Sequence, residues 1–259
     1  MSHDKRNWRE WTLMGLVLVP LALILTRPRM PQDAKFHALV DTRTYLGIPN
    51  FLDTASNLPF LLLGIAGLLL CGGRTVTGGA RSWLVFFVGV TLVFFGSAYY
   101  HWSPNNATLV WDRVPITIAL MGLLVAVVSE HAGAGLERIL LAPALTIGIG
   151  SVAWWVYTDD LRSYVWVQAA PLVAIVFVLI AYAPRHTCRA YLAYALACYT
   201  LAKAAEFQDR EIYALTSQTL SGHTLKHLLA AAGILFLYLM LRRRTPIRPE
   251  VPAPATAIQ

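Results

Sequence analysis

The sequence predicts an all-α fold, a polytopic membrane helix bundle. Three observations carry this. Hydrophobic types make up 57% of the 259 residues and charged types only 14%, against about a quarter charged in soluble domains. The mean hydropathy is +0.55, more apolar surface than one soluble core of this size can hide. The apolar residues also fall in runs close to bilayer length, about 20 residues per span, with short linkers. About eight such spans leave no room for a separate soluble domain, so the active surface lies in the membrane or at its edge. A disordered chain, a disulfide scaffold and an ordinary cytosolic enzyme are excluded.

The first apolar run, Trp11 to Thr26, contains Pro20 and follows Lys5, Arg6 and Arg9. Arg27-Pro28-Arg29 offers no small-residue cleavage site, so an uncleaved anchor is expected. A polar stretch, Met30 to Asn50, comes next. Seven further runs follow, at 51–71, 82–102, 108–129, 138–157, 164–183, 188–206 and 222–241. In lipid the backbone must satisfy its own hydrogen bonds, so these are helices. Most linkers are short; the last, 207–221, is longer and polar. Trp and Tyr near the run ends, such as Tyr99, Trp102, Trp111, Trp154 and Tyr157, suit an interfacial belt. Cys71, Cys188 and Cys198 have no metal or redox spacing.

The net charge of +7 reads as a topology mark and not as a nucleic-acid footprint. Arg242, Arg243, Arg244 and Arg248 follow the last run and place both termini in the cytoplasm, with the protein in the inner or plasma membrane. Arg74, Arg81, Arg138, Arg185 and Arg189 then fall on the same side. Arg27, Arg29, Lys35 and Arg43 disagree, since they would lie outside.

Ionisable groups at membrane depth are costly and mark function by default. The third run ends in Ser97, Tyr100 and His101; the fourth opens with Asp112 and Arg113. The eighth opens with Ser221-Gly222-His223-Thr224-Leu225-Lys226-His227, and the second with Asn50 to Asn57. Counting spans puts all four clusters at one membrane level, the outer face. His223 and His227 share a helix face. With His101 they make three nitrogens and an open position, a catalytic zinc arrangement. Zinc lowers the pKa of a bound water towards about 7. Asp112 could take its proton, and Ser97, one turn before His101, could hydrogen-bond the water or an oxyanion. Plainer readings stand beside these. Each His could be a packing residue, Asp112 an ion pair with Arg113, and Ser97 a small helix-packing contact. His3, His37, His131 and His186 fall in tails or loops, with solvated or structural roles.

The order Ser97-x-x-x-His101, Asp112, His223-x-x-x-His227 resembles that of the CREST superfamily, which joins alkaline ceramidases and adiponectin-receptor-type proteins. Asn50-Phe-Leu-Asp-Thr-Ala-Ser-Asn57 resembles the start of the first core helix of alkaline ceramidases. The likeness covers about 50–241. It implies a seven-helix ceramidase-like core plus one additional N-terminal transmembrane helix. It also implies Zn2+ held by His101, His223 and His227, with Ser97 and Asp112 placing the water. The implied activity is hydrolysis of a carbon-nitrogen amide bond in a ceramide-like membrane lipid, to a fatty acid and a long-chain amine. The chain then divides into an anchor and polar loop at 1–49, the hydrolase core at 50–241 and a disordered basic, Pro-rich tail at 242–259.

Arg43 and Tyr45 on the polar loop are expected over the lipid head group, and Asn50, Asp53 and Asn57 at the substrate entrance. Asp53 stands where the ceramidase pattern has Asn. Calcium is not expected, because Asp41 is the only nearby acid before Asp53 and Arg43 would oppose a cation. Two rival functions use the same residues. A receptor or sensor would keep a structural zinc site, but the short tails offer no signalling module. A transporter would line a pathway with the polar cluster, but the candidates gather on one side rather than through the midplane.

Overall fold

The computed structural model describes residues 4–73, 79–133 and 135–247. Among them there is no strand, and ten α-helices follow one another: α1 (Asp4–Leu25), α2 (Phe51–Ala55), α3 (Leu58–Gly73), α4 (Ala80–Trp102), α5 (Asn106–His131), α6 (Leu136–Thr158), α7 (Arg162–Ala181), α8 (Ala190–Phe207), α9 (Asp209–Leu215) and α10 (Gly222–Arg243). Seven spans are long and apolar enough to cross a membrane: α1, α2 with α3, α4, α5, α6, α7 and α10. The chain is thus a polytopic helical membrane protein. The eighth expected span, α8, carries Lys203 and Glu206 in its last turns and is not among these seven. It nevertheless packs along α10 and touches α7.

α5 is the central helix. It packs on α4, α6 and α7, and 78% of its apolar window is buried. Large side chains fill the space around it, among them Trp83, Phe87 and Met121, all at 0% exposure. α4 and α5 form the most extensive contact in the fold. Near its end Gly96 makes their close crossing possible, because a Cβ there would sit 1.9 Å from the Trp111 carbonyl oxygen.

α1 stands outside this packing. Only 6% of its window is buried, and it touches α7 through Leu13 and a hydrogen bond from Trp166 Nε1 to the Val17 carbonyl at 2.6 Å. Its far end is fastened. Arg162 donates to the carbonyls of Leu25 at 2.6 Å and Arg27 at 2.5 Å, satisfying acceptors that a helix C-terminus leaves open. Asp160 in turn binds Arg162 at 2.6 Å. This guanidinium hydrogen bond holds the Asp160 carboxyl well below the usual carboxylate range.

Three expectations need correction. The run 51–71 is not one helix: it breaks at Ser56 and Asn57 between α2 and α3. Pro59 has no N–H to give the Ala55 carbonyl, so the ladder stops there. Asn57 Nδ2 closes the break by donating to the Asp53 carbonyl at 2.9 Å. The linker 207–221 holds a helix, α9. The tail begins later than residue 242. α10 runs to Arg243, and Thr187 donates its N–H to the Thr245 carbonyl at 2.9 Å, so the first tail residues are part of the fold. His3, Arg74 and the rest of the tail, from Arg248, lie outside the described residues.

Candidate metal centre

Antiparallel succession brings the end of α4 and the starts of α2, α5 and α10 to one end of the bundle. His101 stands in the last turn of α4, and His223 and His227 on successive turns of α10. All three are buried, at 1%, 7% and 4% exposure. Their ligand nitrogens lie within 4.8 Å of one another. His101 Nε2 and His223 Nε2 are 3.2 Å apart. Tetrahedral zinc with Zn–N bonds near 2.0–2.1 Å separates its nitrogens by about 3.3 Å. Neutral imidazoles are the ligating form, and among the described residues no other His, Cys, Asp or Glu joins this set of possible ligands. His101 Nδ1 is buried without a hydrogen-bond partner. The three histidines can therefore hold a metal ion, and their chemistry suits zinc.

Each histidine is set by neighbours. The Ser56 hydroxyl lies 2.8 Å from His227 Nδ1 and 3.2 Å from the Asp53 carbonyl. A hydroxyl that gives its proton to that carbonyl accepts from Nδ1–H, which leaves the Nε2 lone pair for a metal. The His223 backbone N–H donates to Asp209 Oδ1 at 2.7 Å, filling a donor that the start of α10 leaves open. Gly222 allows α8 and α9 to come this close, since a Cβ would fall 2.2 Å from the Ala205 carbonyl. Asn50, in a left-handed conformation at φ 47°, donates from Nδ2 to the His101 carbonyl at 2.7 Å.

Ser97 is buried, and its side chain stands near the Asp112 carboxyl by the Gly96 crossing. The alternative ion pair between Asp112 and Arg113 does not form. Arg113 turns away, donates to Gln32 Oε1 at 2.6 Å and lies 4.2 Å over the Trp155 ring.

Asp53 and Asn57 are not at an entrance: they are at 1% and 0% exposure. Asp53 Oδ1 accepts from Thr224 at 2.5 Å and Ser221 at 3.0 Å, so it anchors the first turn of α10 from below. Asn57 is spent on the turn after α2. Tyr45 is exposed and packs on Phe51. Arg43 is half-exposed but tied down, with a 2.6 Å ion pair to Asp41 and a 2.9 Å bond to the Thr219 carbonyl. Burial acts to raise the Asp41 carboxyl, yet the Arg43 and Tyr213 hydrogen bonds outweigh it and hold the group below its ordinary value. His37 bridges Tyr100 and Asn106. His131 is not in a loop; it is buried in the last turn of α5, 2.9 Å from the Val127 carbonyl.

One cluster was not singled out from the sequence. Lys226 Nζ lies 2.8 Å from His223 Nε2 and 3.0 Å from Glu206 Oε1, and Lys203 also pairs with Glu206. Two lysines and an acid within apolar runs were a usable signal. Side-chain spacing within one helix says nothing of what a second helix brings.

None of the curated proteins matches the chain. The Ceramidase family model matches residues 45–245, which takes in the centre and the whole bundle except α1. By this match over most of its length, the chain belongs to the Ceramidase family.

Proposed function

We propose that this protein is a zinc-dependent membrane hydrolase that cleaves the amide bond of a ceramide-like lipid to a free fatty acid and a long-chain amine. The observation that carries the reading is the buried triad His101, His223 and His227, with ligand nitrogens within 4.8 Å, in a Ceramidase chain. Zinc bound there would supply an acidified water and polarise the lipid carbonyl.

The chain's own residues do the rest. Ser56 and Asp209 hold His227 and His223 in register. Asp112, oriented by Ser97, takes a proton from the attacking water and returns it to the leaving nitrogen as the C–N bond breaks. The acyl chain lies among the helices, and Arg43 and Tyr45 flank the head group. Arg81, Arg138, Arg185 and Arg242 to Arg244 gather at the end of the bundle opposite the histidines. The positive-inside rule makes that end cytoplasmic and puts the centre near the outer face.

Purified protein should contain zinc and release fatty acid from N-acyl sphingoid lipids, read by mass spectrometry beside a panel of O-acyl lipids. His223→Ala and His227→Ala should lose both zinc and turnover. Zinc-free wild type, or unchanged hydrolysis in both variants, rejects the reading.

A further inference from the structure

At the other end of the bundle, a pocket opens between the end of α5, the connection from α7 to α8, and the end of α10. Glu130 and Glu130's neighbour His131 form one side, and Arg185, His186, Arg189 and Arg244 the others. Along α5, 18 residues separate Asp112 from Glu130, about 27 Å at 1.5 Å per residue. The pocket is therefore separate from the histidine centre.

Its charges do not balance. Among the described residues, Glu130 is the only acid in the lining. Its carboxylate is taken by Arg244 at 2.6 Å and by Trp83 Nε1 at 2.7 Å. Arg185 and Arg189 have no carboxylate partner among the described residues. They donate instead to backbone carbonyls, of Glu130 at 2.8 Å and Val178 at 2.7 Å. Arg189 Nε is buried and makes no hydrogen bond. α8 begins beside the pocket with no side-chain cap, although the Tyr191 and Leu192 N–H groups are taken by the Cys188 and Arg189 carbonyls. The rim is held in place: Thr187 and Ile247 exchange backbone bonds with Thr245 and Arg185 at 2.9 and 3.0 Å. Arg185 and Arg189 both line the one pocket, whose single acid among the described residues is already paired with Arg244.

We propose that this pocket binds a phosphate group, presented by the head group of an anionic phospholipid at the cytoplasmic surface. Two guanidinium groups with no carboxylate partner among the described residues suit a tetrahedral oxyanion. Basic pockets between membrane helices on this side take anionic head groups.

The test uses the full chain in phosphatidylcholine nanodiscs with and without phosphatidylglycerol, and native mass spectrometry to read retained lipid. Arg185→Gln and Arg189→Gln should each weaken phosphatidylglycerol retention about tenfold, the loss of one charge-assisted contact. Arg138→Gln removes an exposed arginine at the same end and should leave retention unchanged. In detergent, inorganic phosphate should compete with the bound lipid. Phosphate that raises the unfolding midpoint of a protein retaining no phosphatidylglycerol would show a soluble anion as the occupant and overturn the lipid assignment. Equal losses in all three variants, or none in any, would overturn the site itself. Arg185 is exposed, so its variant carries the test even if Arg189→Gln fails to fold.

Discussion

His101 and His223 meet Nε2 to Nε2 at 3.2 Å, although 122 positions separate them in the chain. Two neutral imidazole lone pairs do not approach so closely without a proton or a cation between them. His227 completes the triangle, with ring centroids 5.0 Å from His101 and 4.9 Å from His223. The consequences below concern how this triangle is held and used.

Ser56 should matter to the metal without touching it. Its hydroxyl lies 2.8 Å from His227 Nδ1, and by accepting from Nδ1–H it would leave Nε2 for the metal. Ser56→Ala should lower zinc affinity about 10- to 100-fold, the usual effect of removing an outer partner of a ligating His. A competition titration with a chromophoric chelator measures this; unchanged affinity would mean that packing alone orients the ring.

Asp112→Asn separates catalysis from metal binding. The variant keeps the shape and loses the base. Turnover should fall by about 10²- to 10⁴-fold while zinc content stays at the wild-type value. Full turnover with zinc retained would point to a structural metal and favour the sensor reading.

Gly96→Ala probes the α4–α5 crossing. The new methyl group would collide with the Trp111 carbonyl at 1.9 Å, so the helices must part where Ser97 meets Asp112. Overpacking of this kind costs about 1–3 kcal/mol. Thermal unfolding in detergent should show a lower midpoint, and turnover should drop more than that loss of folded protein explains. A midpoint equal to wild type would show that the crossing can relax.

Asp160 gives a pH signature. Its carboxyl is held below the ordinary value by Arg162. The stabilisation is present above the unfolded value of about 3.9 and is lost as pH falls towards the lower folded value. Asp160→Asn should therefore be less stable than wild type at neutral pH, and the two should converge in acid. A constant gap in unfolding midpoint from neutral pH down to acid would count against the ion pair as the cause.

Much of this protein was legible in one dimension. The runs were visible because every backbone group in lipid bonds within its own helix, so length and hydropathy suffice. The histidine pair on α10 follows from a spacing of four, and His101 joins it by counting helix ends. The break at Ser56 and Asn57 was missed because apolar character continues across it; Pro59 was the available signal. α9 and Glu206 were missed for the opposite reason. Polar residues beside a span read as linker, although here they buttress the first turn of α10.

The sequence by itself determined the membrane helices, their alternating directions and the gathering of Ser97, His101, Asp112, His223 and His227 at one end. These follow from local hydrogen bonding and from the cost of charge in lipid, both written residue by residue. Only the tertiary structure decided what each side chain faces. It turned Asp53 under α10, sent Arg113 to Gln32 and Trp155, and set Lys226 between His223 and Glu206. Those contacts depend on how closely helices cross, and Gly96 and Gly222 fix that distance through atoms of other helices.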